Sequence, residues 1–368
     1  MSVTLPTAEQ IAEIVKPLLA ENIGVAVGVT SPDFDGPAYF FNGSVTARDG
    51  SPLTLNSGTL FAIGSCSKTF TATLYATAIV QNDGVLNQLL GNSTPAGATP
   101  VGSNYTSIPL GSLANYTSGL PQDNQGGVPE MPPNQTTPYT VDELFTFLGT
   151  NPFPLAAPPE TVYAYSNLGF SLLGAVTPGL LGQTQACDTW ERALNASILT
   201  PLGMTLNTID QVSPSLLPQS YYGSTKAGPI PLRYPAFNPG GGLVFSSSDV
   251  MRWLQYSMGM TSSAGLDDLL EWTQLPSTTL KASPITSIGR GWFLGSNGHV
   301  FKDGGILGFS SFIAFEASSD VGVNASPAGA FLLVNQSIKP SPYVSKILAL
   351  MTGTELGDVA TPETGAEA

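Results

Sequence analysis

The apolar positions of the chain fall into blocks of different period. Residues 7–18 carry Ile11, Ile14, Val15 and Leu18 on one helical face, and Thr7 with Gln10 has the spacing of a capping box. Residues 23–30 are rich in Val and Gly and end at Ser31-Pro32, which predicts a strand with 38–45 as its hairpin partner. The helical period returns over 69–80 through Phe70, Leu74, Ala78 and Ile79, and Asn82-Asp83-Gly84 stops it. Residues 86–109 are polar and irregular, 110–120 predict a short helix, and 121–138 predict a long loop of Gly, Pro, Asn and Gln. Three further helices are predicted over 140–148, 169–180 and 189–202.

The pattern changes after residue 214. A Pro/Gly-rich connection covers 221–239, and Ser246 to Asp249 caps a helix that runs to 258. Runs at 290–294, 299–302, 310–316 and 330–335 read as antiparallel strands, and 343–351 as a closing helix. Helix and strands at both ends thus flank a helical middle. The expected fold is α+β, one domain over 1–352: an antiparallel sheet lobe (about 1–64 and 225–352) flanked by helices, with a mainly helical lobe (about 65–224) inserted. Residues 353–368 are expected to form an acidic flexible tail.

Composition narrows the partners. Lys and Arg number 12 against 26 Asp and Glu, a net charge of −14, which argues against nucleic acid or an anionic membrane as partner. No apolar run reaches transmembrane length, and the opening Met1-Ser-Val-Thr-Leu-Pro6 does not read as a signal peptide. Eight Asn-x-Ser/Thr sequons, with few charges and many Gly and Pro, point to an extracytoplasmic or secreted protein. Only Cys66, Cys187 and His299 could supply sulfur or imidazole ligands, too few for a structural zinc site, and no metal or cofactor is expected. A Ser-His-acid triad would have to use His299, and the one elbow-like stretch, Gly308-Phe-Ser310-Ser-Phe312, lacks its closing Gly. His299 is therefore expected to be a surface or strand residue, and Cys66 a buried thiol on the central helix rather than half of a bridge to Cys187.

Chemistry concentrates at Ser65-Cys66-Ser67-Lys68. Residues three apart share a helix face, so the Ser65 hydroxyl and the Lys68 amine can meet, and the first turn of a helix offers N–H donors to a developing oxyanion. Lys68 is the only charged residue between Asp49 and Asp83. Two later stretches join it: Tyr163-Ala-Tyr165-Ser166-Asn167, ahead of a helix, and Val300-Phe-Lys302-Asp303-Gly304-Gly305 in the strand region.

These motifs, in this order and spacing, resemble the Ser-x-x-Lys, Tyr-x-Asn and Lys-Thr-Gly set of the class C β-lactamases, with their relatives the D,D-peptidases and family VIII carboxylesterases. Leu113-Ala-Asn-Tyr-Thr-Ser-Gly-Leu-Pro121, Leu202-Gly-Met204 and Gly240-Gly-Gly-Leu-Val244 followed by Ser248-Asp249-Val-Met-Arg252 are similar to further family segments, so the resemblance covers roughly residues 7–352. It implies Ser65 as nucleophile, with Lys68 and Tyr165 sharing proton transfer and Lys302 lending its field. It further implies that Asn167 holds Lys68 and the substrate, and that the N–H groups of Ser65 and Gly305, beside Gly304, form the oxyanion hole. Asp303 departs from the pattern, because the family carries a hydroxyl residue there that helps bind a substrate carboxylate. A carboxylate would repel it, unless Arg233 or Arg290 compensates, or Asp303 takes one of two other arrangements, pairing with Lys302 or facing away as adjacent strand residues do.

The substrate is accordingly a small-molecule ester, amide or β-lactam. The leading expectation is a carboxylesterase-type serine hydrolase acting through an acyl-enzyme on Ser65. The alternative is a class C-like β-lactamase or D,D-peptidase, followed by an acyltransferase and a non-catalytic sensor.

Overall fold

The computed structural model describes residues 3–122, 138–150, 154–182, 188–229, 235–261, 265–283, 286–295, 297–316 and 326–356. Its centre is one antiparallel sheet of eight strands: β1 (Gly24–Thr30), β2 (Ala38–Gly43), β3 (Lys281–Ser283), β4 (Thr286–Ile288), β5 (Phe293–Leu294), β6 (His299–Ile306), β7 (Phe309–Glu316) and β8 (Gly329–Val334). The spatial order is β2-β1-β8-β7-β6-β5-β4-β3, so both ends of the chain build it and meet where Val25 pairs with Val334. Six helices frame the sheet and the site: α1 (Ala8–Val15), α2 (Ser67–Gln81), α3 (Asn167–Leu180), α4 (Asn238–Gly241), α5 (Ser247–Ser257) and α6 (Ser341–Thr352).

Both faces of the sheet are covered, which is why β1 and β8 read as continuous apolar runs instead of alternating. Val25, Val27, Phe312 and Leu332 pack with Ile11 and Val15 of α1 and Val344, Ile347 and Leu348 of α6. The alternate residues Phe331, Leu333, Ile313 and Phe315 pack with Phe70 of α2 and Met251, Trp253 and Leu254 of α5. Phe70 stacks on Trp253 at 3.8 Å between centroids.

Helix α2 is the buried axis of the molecule, with every residue from Ser67 to Ile79 out of solvent. A helix buried all round should be apolar, yet this one carries four threonines after Lys68. Their hydroxyls bond carbonyls in or beside the helix: Thr69 to Cys66, Thr73 to Thr69, Thr77 to Thr73 and Thr71 to Pro239, at 2.7–3.2 Å. The polar groups are thereby satisfied at little cost in volume.

Several expectations need correction. The helix expected over 110–120 ends at Ala114, because Tyr116 takes a left-handed φ of 60°. Within the connection expected over 221–239, a hairpin pairs Tyr221–Tyr222 with Thr225–Lys226, and α4 forms at its end. Helix Asp267–Gln274, strands β3 and β4, and the pair Leu60–Ala62 with Val244–Ser246 were not anticipated. Residues 353–355 are exposed, as expected of a tail, but Leu356 is 2% exposed and its N–H donates to Ser345 Oγ at 3.1 Å, so the chain is tied back to α6 at that point. The acidic residues from 357 on, and most of the loop expected over 121–138, lie outside the described residues.

Candidate active site

Ser65 lies in a 3₁₀ turn, Gly64–Cys66, that runs directly into α2. The turn is clamped: Ile63 N–H donates to Leu243 O at 3.0 Å, and Ser311 Oγ of β7 donates to Ile63 O at 2.7 Å. Strand β6 presses on it from the other side. Gly64 has φ +50°, and a Cβ there would come within 2.6 Å of Gly305 N. A Cβ on Gly304 would lie 2.1 Å from Ile63 O and 2.9 Å from Ser65 N. Glycine at both places is what lets strand and turn touch, bringing the main chains of Ser65 and Gly305 together. Two main-chain N–H groups so placed are what a tetrahedral oxyanion needs. Strand β6 pairs with β7 along its whole length but with β5 only at Val300 and Phe301, so from Lys302 onward its other edge is open toward the site.

Lys68 is fully buried one helical turn beyond Ser65. Its Nζ donates to Ser65 Oγ at 2.7 Å, to Asn167 Oδ1 at 2.6 Å and to the carbonyl of Gly240. The three acceptors come from three elements: the Gly64–Cys66 turn, α3 and α4. Asn167 is the first residue of α3 and not its cap; Ser166 is the cap, accepting from Gly169 N at 2.9 Å. That leaves the Asn167 amide to face Lys68.

Tyr165 stands between two cations. Its ring centroid is 4.8 Å from Lys68 Nζ and 5.4 Å from Lys302 Nζ. The ring stacks on Tyr116 at 4.9 Å, and Tyr116 stacks on Phe293 at 5.4 Å. Lys302, also fully buried, bonds the Asp303 carboxylate Oδ1 at 3.0 Å and the Asp303 carbonyl at 2.7 Å. Of the two arrangements open for Asp303, the structure has the one in which it pairs with its neighbour, with its side chain 9% exposed. Gly304 is buried and Gly305 exposed.

Other candidates lie elsewhere. Arg290 stacks on Trp272 at 3.9 Å and donates to Trp272 O at 2.8 Å, so it is fixed on the helix Asp267–Gln274 and does not compensate Asp303. Arg233 and Cys187 lie outside the described residues. Cys66 is buried behind Ser65, its Sγ 3.4 Å from Lys302 O and 3.2 Å from Ser311 Oγ. His299 is a strand residue, as expected, but not a surface one: it is 1% exposed, and burial pushes its imidazole down to about 4. In register it faces Glu316, while Ser310 faces Gly305 six positions along β6, roughly 20 Å away, which removes a His299–Ser310 pairing. Two sequons are also structural: Asn115 is buried, and Asn335 is fully buried, spending its side chain on Gly24 N, Asn22 O and Gln219 O at 2.7–2.8 Å.

Sequence reasoning missed Gly240 and Tyr116 as parts of the site. The Gly240 contact is made by a main-chain carbonyl, which leaves no side-chain signature. Tyr116 stands in a segment similar to one of the family's, and nothing in its neighbours announces the left-handed turn that carries its ring onto Tyr165.

The chain is similar to known proteins over most of its length. Residues 11–347 match the family model described as Beta-lactamase. A beta-lactamase of Lysobacter lactamgenus is 24% identical over 351 residues, covering 86% of this chain and 83% of the relative. A beta-lactamase of Pseudomonas fluorescens is 30% identical over 251 residues (66% and 63%), and penicillin-binding protein 4 of Amycolatopsis lactamdurans is 23% identical over 233 residues (60% and 56%). Among solved structures, a class C beta-lactamase superposes with a TM-score of 0.72 at 21% identity, covering 93% of this chain and 95% of the other. A beta-lactamase/D-alanine carboxypeptidase from Pseudomonas syringae superposes with a TM-score of 0.70 at 20% identity, covering 93% and 96%.

Proposed function

The chain belongs to the beta-lactamase family and is a serine hydrolase of that kind, and from this premise we propose that it opens β-lactam or penicillin-like amides through an acyl-enzyme on Ser65. The comparisons favour this reading over the carboxylesterase expected first from the sequence. The observation that carries it is the 2.7 Å contact of Lys68 Nζ with Ser65 Oγ, at a turn whose main chain abuts the open edge of β6.

In this reading Ser65 Oγ attacks the carbonyl carbon as its proton passes to the Lys68–Tyr165 pair. The oxyanion is received by the N–H groups of Ser65 and Gly305. The C–N bond breaks, the leaving nitrogen takes the proton, and water attacking the ester carbon regenerates Ser65. Asn167 fixes Lys68 from the side, through the 2.6 Å contact to its Oδ1.

One observation favours a second reading, ester hydrolysis. Lys302 is paired with Asp303 at 3.0 Å, and the Tyr165 and Phe293 rings lie 5.4 Å and 5.3 Å from its Nζ. A cation neutralised in this way offers little to an anionic substrate, and neutral esters lose nothing by it. Parallel turnover of a chromogenic cephalosporin and a p-nitrophenyl ester separates the readings. The first expects kcat/KM for the cephalosporin to exceed that for the ester; ester turnover without cephalosporin turnover would replace it with the second.

A further inference from the structure

The carbonyl of Gly240, one of the three acceptors around Lys68, comes from a weak piece of structure. Helix α4 is four residues long, Asn238-Pro239-Gly240-Gly241, and two glycines and a proline give it little intrinsic stability. It nevertheless delivers two buried carbonyls to α2: Gly240 O to Lys68 Nζ, and Pro239 O to Thr71 Oγ1 at 2.7 Å. Something outside the helix must hold it.

The Asn238 side chain reaches in the opposite direction. Asn238 is fully buried, and its Nδ2 donates to Asp210 Oδ1 at 3.0 Å and to Glu191 Oε1 at 3.3 Å. A primary amide has two N–H donors on one nitrogen, which suits it to two carboxyl groups at once. Asp210 and Glu191 lie on separate segments, Glu191 in the first turn of the helix Trp190–Leu194. Burial raises the Glu191 carboxyl above its usual range, and the Asn238 bond opposes that shift. Asn238 Oδ1 folds back over Gly242, where a Cβ would lie 2.0 Å away, and it has no hydrogen-bond partner among the described residues. An unsatisfied buried oxygen is costly, and the arrangement persists because the two donors on Nδ2 are both used.

We propose that Asn238 is a positioning residue for Lys68: anchored on Asp210 and Glu191, it fixes the α4 turn so that the Gly240 carbonyl meets the amine that activates Ser65. The inference rests on the acyl-enzyme reading of Ser65 and Lys68. Among the described residues the Asn238 side chain bonds Asp210 and Glu191 and neither Ser65 nor Lys68, so its effect is on how fast Ser65 reacts and not on whether it can.

The test is the rate at which an alkyl fluorophosphonate labels the protein, with the site located by peptide mass spectrometry and the fraction labelled measured at completion. Wild type should be labelled on Ser65. Asn238→Ala should react about tenfold to a hundredfold more slowly at saturating reagent, with the half-saturating concentration little changed and labelling still reaching every chain. Should that variant not fold, Asp210→Ala should slow labelling by about threefold or more, and Asp210→Asn, which keeps an oxygen acceptor, should recover most of the rate. Equal rates in wild type and Asn238→Ala, or a loss matched by a smaller labelled fraction, would overturn the positioning role. A wild-type protein not labelled on Ser65 would overturn the acyl-enzyme reading itself, and this inference with it.

Discussion

Two lysines, both fully buried, flank the ring of Tyr165, and their surroundings differ in kind. Lys302 is held as half of an ion pair, its Nζ 3.0 Å from Asp303 Oδ1. Lys68 donates to a hydroxyl, an amide oxygen and a carbonyl. Opposite charges about 4 Å apart attract by roughly 4 kcal/mol at an effective dielectric near 20, so the Asp303 carboxylate holds the Lys302 side chain in place. The acceptors of Lys68 include the Ser65 hydroxyl, the nucleophile of the proposed reaction. The same residue type, equally buried, thus meets a carboxylate in one place and a hydroxyl, an amide oxygen and a carbonyl in the other, and among the described residues the difference lies in the partners and not in the burial.

Kinetics break or sustain that distinction most sharply. Lys68→Ala should lower kcat by about 10²- to 10⁴-fold with KM little changed, whereas Lys302→Ala should act at least as much on KM. Similar kcat/KM splits for the two variants would erase the difference in role. Tyr165→Phe should also lower kcat, and the double variant Lys68→Ala/Tyr165→Phe should lose less than the product of the singles, because both serve one proton path.

His299 sharpens the comparison, being a third buried base on the same strand as Lys302. Neither ring nitrogen has a hydrogen-bond partner among the described residues, and burial pushes the imidazole from 6.5 down to about 4. Below pH 6.5 the unfolded chain takes up a proton that the folded chain refuses until about pH 4, so stability falls as the pH drops through that window. The loss should approach about 3 kcal/mol, and His299→Leu should remove it. Urea titrations at pH 7 and pH 4.5 measure it, and an unchanged difference in His299→Leu would assign the acid loss to other groups.

Asp303 carries the smallest of these effects. Asp303→Thr removes the carboxylate from Lys302 and should raise kcat/KM for a carboxylate-bearing cephalosporin by about tenfold or more, with much less change for a neutral short-chain ester. Parallel change in both substrates, or in neither, would make the ion pair purely structural.

The parts of this site that the sequence made legible are those set by short-range geometry. Ser65 and Lys68 meet because three residues make nearly one helical turn, whereas Gly304 and Gly305 are indicated by the family resemblance, and of the two it is Gly304 whose Cβ would strike Ile63 O at 2.1 Å. The capping box at Thr7 and Gln10 and the strands β1, β6, β7 and β8 were readable for the same reason. What was hidden depends on contacts between distant segments. The Gly240 carbonyl meets Lys68, and Asn238 meets Asp210, only through tertiary packing. Strands β3 and β4, three residues each with Lys281, Ser283, Thr286 and Ser287, carry no apolar alternation to betray them. The Lys302–Asp303 pair was one of two arrangements open to adjacent residues, and only the fold decides between them.

The central claim is that Ser65 forms the covalent bond to a β-lactam. It is tested most directly by rapid acid quench of the protein with a penicillin, followed by intact-mass and peptide mass spectrometry. The expected result is a mass increase equal to the whole β-lactam, since ring opening releases nothing, located on the peptide that carries Ser65 and absent in Ser65→Ala. An adduct on another residue, or undiminished turnover in Ser65→Ala, would contradict it.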